Sequence, residues 1–460
     1  MSLIKSISGF RGTIGGKPGD NLTPIDAVKF AAAYGTWLKN QTKKDSYKVV
    51  IGRDARISGQ MISQLVCSTL QGLGINVIDL DLSTTPTVEV MVTHLNADGG
   101  IILTASHNPK QWNALKLLNG KGEFVSAEDG AEILATVDAD DYQFAEVDDL
   151  GTYETFDNAI ALHIGQILDL PLVNVEAIKA KKFKVAIDAV NSTGGISIPY
   201  LLDKLGVDYI KMYCEPTGHF PHNPEPLKEH LGDICAKVLE EKADFGIVVD
   251  PDVDRLAIID EIGNMFGEEY TLVAVADYVL GKTPSATVSN LSSSRALRDI
   301  AEKHGQSYSP SAVGEVNVVM EMKATGAKIG GEGNGGIIYP ELHYGRDSLV
   351  GIALFLSHLA EKEISVSELR ASYPAYFMAK KKIELTPEIN VDHLLEQVQD
   401  LYKTEQINTV DGVKIDFANE WVHLRKSNTE PIIRIYTEST SEESANLLAD
   451  KMIASIQSII

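Results

Sequence analysis

The chain has 460 residues, 44% of them hydrophobic, more than one ordinary core absorbs, so three or four domains are predicted. With 41 Lys and Arg against 64 Asp and Glu, the net charge of −23 opposes general attraction to nucleic acid or an anionic membrane, and an anionic substrate needs a locally basic pocket. Three scattered cysteines (Cys67, Cys214, Cys235) without metal-ligand spacing, and an N-terminus without a continuous apolar segment, predict a soluble, cytoplasmic protein free of disulfides and of membrane or nucleic-acid partners.

In chain order, GFRGT first sets Arg11 among glycines. Lys48-Val-Val-Ile then leads through the polar turn RDARISG into an amphipathic helix ending at Gly74, followed by the strand INVIDLDL. The same plan returns twice: from Lys184 through DAVNSTGG to Gly206 and VDYIKMY, and from Ala286 through SNLSSSR to Gly305. A strand, a polar loop, a glycine-closed helix and a second strand form a βαβ unit, whose crossover favours parallel pairing. Three such units predict three related α/β domains with mixed, mostly parallel sheets, over 1–153, 154–256 and 257–373. Acidic DADDYQFAEVDD lies near the end of the first. After Tyr373-Pro374 the plan changes: KKKIELT, GVKIDFA, EWVHLRK and PIIRIYTE read as strands, and a helix is predicted from near Thr440 with Glu443 as its capping-box partner. This makes a smaller C-terminal α+β domain over 374–460.

Four loops carry the residues that chemistry needs. In GGIILTASHNP a buried strand ends in Ser106 and His107, at the sheet edge where open α/β folds bind ligands; Asn119-Gly120 turns the next strand back and brings Lys116 toward the same rim. In GIVVDPDVDRLAIID, Asp250, Asp252 and Asp254 crowd three like charges after another apolar strand, which a hard divalent cation would relieve, and Arg255 adds a positive charge beside them. An EF-hand is rejected because Arg255 replaces its glycine; a phosphatase of the haloacid-dehalogenase kind, with Asp250 as nucleophile, and an acidic surface turn stay open. IGGEGNGGIIYP matches G-x-G-x-x-G but runs into a strand and Pro340 rather than a helix, so no dinucleotide site is read; Glu332 and Asn334 could instead receive sugar hydroxyls. In LRKSNTEPIIRIYTE, Arg425, Ser427, Asn428 and Thr429 offer a guanidinium fork, hydroxyls and an amide, a set that holds a phosphate, with Arg434 on the following strand. Each loop alone also reads as an ordinary turn.

Taken together and in this order, TASHNP, DPDVDR, GEGNGG and RKSNTEP resemble the phosphoserine, metal, sugar and phosphate loops of the α-D-phosphohexomutase superfamily, and GFRGT resembles its opening motif. The resemblance covers nearly the whole chain and implies four domains around a central cleft. It implies Ser106 carried as phosphoserine, Mg²⁺ held by Asp250, Asp252, Asp254 and the Ser106 phosphate, Lys116 as general acid/base, and Arg11 and Arg255 flanking the transferring group; His107 either positions the serine loop or packs there. It also implies a hexose phosphate substrate, a hexose 1,6-bisphosphate intermediate, and a monomer or homodimer. Many relatives place Ser and His where this chain has Asn334 and Gly336; GEGNGG is more similar to archaeal-type phosphoglucosamine mutases, so glucosamine phosphate is the expected substrate and glucose or mannose phosphate the alternative. A phosphatase, or a noncatalytic Ca²⁺ or phosphosugar-binding protein, would not need all the loops at once.

Overall fold

In the computed structural model, residues 2–6, 9–386, 389–426 and 432–459 are described. The first sheet has seven strands in the order Ile4–Ser6, Gly9–Thr13, Trp112–Leu118, Gly99–Leu103, Tyr47–Arg53, Ile75–Leu82, Tyr153–Thr155. Tyr47–Arg53 pairs parallel with both of its neighbours, whereas Trp112–Leu118 returns antiparallel beside Gly99–Leu103. All five residues of Gly99–Leu103 are buried, because helices cover both faces of this sheet: Val49 and Ile51 point into one core, Val50 into the other.

The second and third sheets have four strands each and the same logic. Lys184–Asp188 pairs parallel with Asp208–Met212 and with Phe245–Val249, and Leu256–Ile259 closes the edge antiparallel. Thr287–Asn290 pairs parallel with Tyr308–Ser311 and Ile329–Glu332, closed by antiparallel Gly336–Ile338. Each predicted βαβ unit is therefore present, and its helix ends at a left-handed or positive-φ glycine: Gly74, Gly206 and Gly305. The inner faces of these two sheets are not separate. One core runs from Ile164 through Ile247 and Phe266 to Phe355 and Tyr373, so the second and third units are packed as one body.

The last sheet is antiparallel, ordered Phe377–Glu384, Ile432–Ser439, Trp421–Lys426, Val413–Asp416, Gln406–Asn408, and backed by the helices Val391–Leu401 and Glu442–Ile459. The terminal helix starts later than Thr440 with Glu443 would place it. The Ser441 hydroxyl accepts the Ser444 N–H at 3.1 Å, so the cap has moved one residue along. Among the described residues, no helix is long and apolar enough to cross a membrane.

Candidate active site

Three of the predicted loops leave the carboxyl ends of their strands and converge. The serine loop follows Leu103. Thr104 Oγ1 accepts the Ser106 N–H at 2.9 Å, and Ser106 itself sits at φ 48°, a left-handed conformation rare for a residue with a side chain. In this conformation Ser106 Oγ donates to Asp250 Oδ2 at 2.8 Å, across 144 residues of sequence. His107 lies beside it, Nδ1 3.3 Å from the same hydroxyl; burial and then the Arg255 charge push its pKa down to about 3, which leaves a neutral imidazole near pH 7.

The loop is organised around a residue that the sequence reading passed over. Arg56 is buried, pairs through Nε with Asp54 at 2.9 Å, and spends its remaining N–H groups on carbonyls of the serine loop: Ser106, Asn108 at 2.6 Å, Pro109 at 2.8 Å and Trp112 at 3.0 Å. All five guanidinium donors are thus satisfied inside one turn. Arg56→Met leaves the Asp54 charge and four carbonyls without their donor. It should cost about 3–5 kcal/mol, read as a lowered thermal midpoint with loss of the ordered serine loop. The RDARISG turn was visible in the sequence; which of its arginines faces inward was not, and Arg53 instead pairs with exposed Asp81.

The acidic loop is the turn between antiparallel strands Phe245–Val249 and Leu256–Ile259. Val253, β-branched and buried, is held at φ 65°, so the turn is strained where the carboxylates gather. Asp250, Asp252 and Asp254 are buried, each with a carboxylate oxygen within 4.8 Å of the others. Their outer oxygens are pinned. Asp250 Oδ1 accepts the N–H groups of Asp254 and Arg255, both at 3.2 Å; Asp252 Oδ2 accepts Thr85 Oγ1 at 2.5 Å and Lys116 Nζ at 2.7 Å; Asp254 Oδ2 accepts Arg346 Nη2 at 2.7 Å. Oδ1 of Asp252 and of Asp254 are buried with no partner among the described residues. Two bare oxygens in a cluster of three buried acids fit a hard divalent cation taking oxygen at about 2.0–2.6 Å.

The charges answer one another. Burial, then Asp252 and Asp254, push the Asp250 carboxyl well above the usual range. Burial alone would lower the Lys116 ammonium, but Asp252 and Asp254 outweigh it and hold it above its ordinary value, while Lys116 holds Asp252 below its own. Arg255 Nη1 donates to Glu225 at 3.2 Å, and its Nε is buried without an acceptor among the described residues. Arg11 reaches the serine loop through Asn108 at 3.2 Å.

A cavity of about 550 Å³ opens in front of these groups, lined by Arg11, Ser106, Lys116, Glu315, Glu332 and Arg346. Glu332 ends the strand Ile329–Glu332 and enters it, accepting Asn290 at 2.8 Å and Arg346 at 2.7 Å; Asn334 folds onto its own turn, accepting the Gly336 N–H at 3.2 Å. On the last sheet, Arg425 stands opposite Arg434, two cations facing each other where an anion between them would relieve the repulsion. Arg425 also donates to Asp411 at 2.8 Å; the second donor to Asp411, the Val313 N–H at 2.9 Å, belongs to the cavity rim. Ser427, Asn428 and Thr429 lie outside the described residues. Arg295 does not face the cavity: it ties the third sheet's loop to the last domain through the carbonyls of Ala418 at 3.2 Å and Glu420 at 3.0 Å. Thr85, Arg56, Glu225, Glu315 and Arg346 were not foreseen; each acts through a partner distant in sequence, which no local motif encodes.

Comparison with known proteins agrees with this geometry. Family models described as Phosphoglucomutase/phosphomannomutase, alpha/beta/alpha domains I, II and III and C-terminal domain match residues 3–144, 162–263, 267–376 and 382–455. A phosphoglucomutase/phosphomannomutase of Thermococcus kodakarensis is 36% identical over 440 residues, 94% of this chain and 95% of its own length. A phosphoglucosamine/phosphogalactosamine mutase of Sulfurisphaera tokodaii is 31% identical over 462 residues, 98% of each chain. The crystal structure of a phosphoglucomutase/phosphomannomutase family protein from Burkholderia thailandensis superposes with a TM-score of 0.85 over 99% of this chain and 97% of that one; at 23% identity this likeness is one of fold.

Proposed function

The chain belongs to the phosphoglucomutase/phosphomannomutase family and is a phosphohexomutase, an intramolecular phosphotransferase; from that premise we propose that it interconverts glucosamine 6-phosphate and glucosamine 1-phosphate. The observation that carries the chemistry is the Ser106 hydroxyl 2.8 Å from Asp250, beside two buried carboxylate oxygens without partners among the described residues. Ser106 is the residue that carries phosphate, and Asp250, Asp252 and Asp254 would hold Mg²⁺. Bound there, such an ion would supply charge that neutralises the transferring phosphoryl group.

The chain's own residues do the rest. The sugar hydroxyl attacks phosphorus as the bond from phosphorus to Ser106 Oγ breaks; Lys116, an ammonium beside Asp252, gives a proton to the departing Ser106 Oγ and takes up the one that the sugar hydroxyl releases. Arg11 and Arg255, whose Nε has no acceptor among the described residues, steady the anionic group. The resulting 1,6-bisphosphate turns end for end, and its other phosphate returns to Ser106 by the reverse step. Arg425, Arg434 and the loop between them hold the phosphate that is not reacting, in either orientation, as the last domain closes. Neutral His107 positions the serine loop. Glu332 and Asn334 receive the sugar hydroxyls. A cytoplasmic location suits a phosphorylated metabolite as substrate and three unpaired cysteines.

The choice of amino sugar is supported by the Sulfurisphaera tokodaii relative and by charge. The sugar end of the cavity sets two carboxylates, Glu315 and Glu332, against one guanidinium, Arg346, which is already shared with Asp254, and this surplus favours a protonated amine. The Thermococcus relative favours the second reading, glucose or mannose phosphate. Glucosamine 1-phosphate, glucose 1-phosphate and mannose 1-phosphate, each with Mg²⁺ and a trace of the matching bisphosphate, separate them. The amino sugar should show kcat/KM at least about tenfold higher, equivalent to roughly 1.4 kcal/mol. Equal or better turnover of the neutral sugars would transfer the assignment to them, and no turnover of any would remove it.

A further inference from the structure

Arg346 joins three carboxylates that belong to different parts of the site. Its Nη2 donates to Asp254 of the acidic loop at 2.7 Å, its Nη1 to Glu332 of the sugar loop at 2.7 Å, and its Nε to Glu315 at 2.9 Å. All four side chains are buried. A planar fork makes these bonds in fixed relative directions, which an ammonium on a flexible stem cannot reproduce.

Room for that fork comes from Gly336, where the sequence departs from many relatives. Gly336 does not have a left-handed backbone, so the turn would accept other residues there. What excludes a side chain is Arg346: a Cβ on residue 336 would lie 2.3 Å from Arg346 Cδ and 3.0 Å from its Cγ. The glycine and the arginine are two halves of one arrangement.

The remaining bonds show what the fork transmits. Glu332 Oε1 is held by Asn290 and by the Gly314 N–H at 3.2 Å, leaving Oε2 to Arg346; Asp254 gives Oδ2 to Arg346, and its Oδ1 is buried with no partner among the described residues. We infer that Arg346 is a positioning residue shared by the sugar and metal loops: it fixes Glu332 against the sugar and Asp254 against the cation in one register, and Gly336 is bare to admit it. The inference rests on Glu332 as a sugar ligand and Asp254 as a metal ligand. It predicts that damage to this one residue moves sugar affinity and metal affinity together.

The test uses the full-length protein with Arg346→Lys and Gly336→Ala, each checked for folding by circular dichroism. The quantities read are KM for the hexose phosphate that the wild type turns over best and the Mg²⁺ concentration giving half-maximal rate. Both should rise about tenfold or more in Arg346→Lys, because an ammonium on a flexible stem cannot hold three carboxylates in the fixed directions of the guanidinium fork. Both should also rise in Gly336→Ala, where Arg346 is present but displaced. A folded Arg346→Lys protein in which only one constant moves, or neither, overturns the inference, as does a Gly336→Ala protein indistinguishable from wild type. If the wild type turns over no hexose phosphate, the functional reading fails on its own, and the same comparison is made by calorimetric titration with Mg²⁺ and with glucosamine 6-phosphate.

Discussion

Ser106→Ala is expected to reduce hexose phosphate isomerisation by at least about 10⁴-fold, since it removes the only atom proposed to accept and return the phosphoryl group. The loss should be in kcat, with substrate still bound, because Arg11, Lys116, Glu332 and the last domain's arginines are untouched. The fold should survive. Among the described residues Ser106 Oγ meets only Asp250, at 2.8 Å, and the half-buried His107 ring, at 3.3 Å, so the thermal midpoint is expected to stay within a few degrees. Mass spectrometry of peptides spanning residues 99–116 should find phosphate on the wild type after incubation with glucose 1,6-bisphosphate and none on the variant. Retained turnover in Ser106→Ala would move the covalent step elsewhere, with Asp250 as the next nucleophile to test, and release of inorganic phosphate would then mark a hydrolase.

Chelation of divalent cations should bring turnover down to the level of Ser106→Ala, and Mg²⁺ should restore it. The same addition should stabilise the protein, by about 2.7 kcal/mol when Mg²⁺ is a hundredfold above its dissociation constant. Asp250 gives this a pH signature. Burial and the two neighbouring aspartates raise its carboxyl in the metal-free protein, so its contribution to stability is full below the unfolded value near 3.9 and is lost as pH rises through the folded value. Metal-free wild type should therefore melt a few degrees below metal-free Asp250→Asn at pH 7, and the gap should close toward pH 4. With Mg²⁺ the order reverses, since the variant has lost a ligand and its activity. A wild-type melting curve and rate both indifferent to chelator would remove the metal from the account.

The sequence was most legible where chemistry and turn geometry coincide. The three βαβ units could be read because each helix ends at a glycine that needs a positive φ and each strand precedes a polar loop; Gly74, Gly206 and Gly305 all adopt that conformation. In the last domain, strands with regular alternation were readable, but Gln406–Asn408 is three residues on a sheet edge and has no pattern of its own. The helix Val391–Leu401 buries Leu394, Leu395 and Val398, a helical spacing that the sequence carries without a loop motif to mark it. The site divides in the same way. Ser106 and the aspartates announce themselves by crowding and by position, whereas Arg346 and Arg56 look like surface arginines until the fold brings Asp254, 92 residues away, and the Asn108 carbonyl, 52 residues away, against them. A buried guanidinium is defined by what surrounds it, and a single sequence holds that information only through its topology.

The core common to the second and third sheets, continuous from Ile164 to Tyr373, sets how the molecule can come apart. Its amide protons should exchange with solvent as a single cooperative block, at a free energy well above that of the last domain, whose core is separate. Opening for product release then has to occur at the ends of that block rather than within it, and the hinge is expected where the chain leaves it, around Pro374, whose carbonyl accepts the Tyr270 hydroxyl at 2.7 Å.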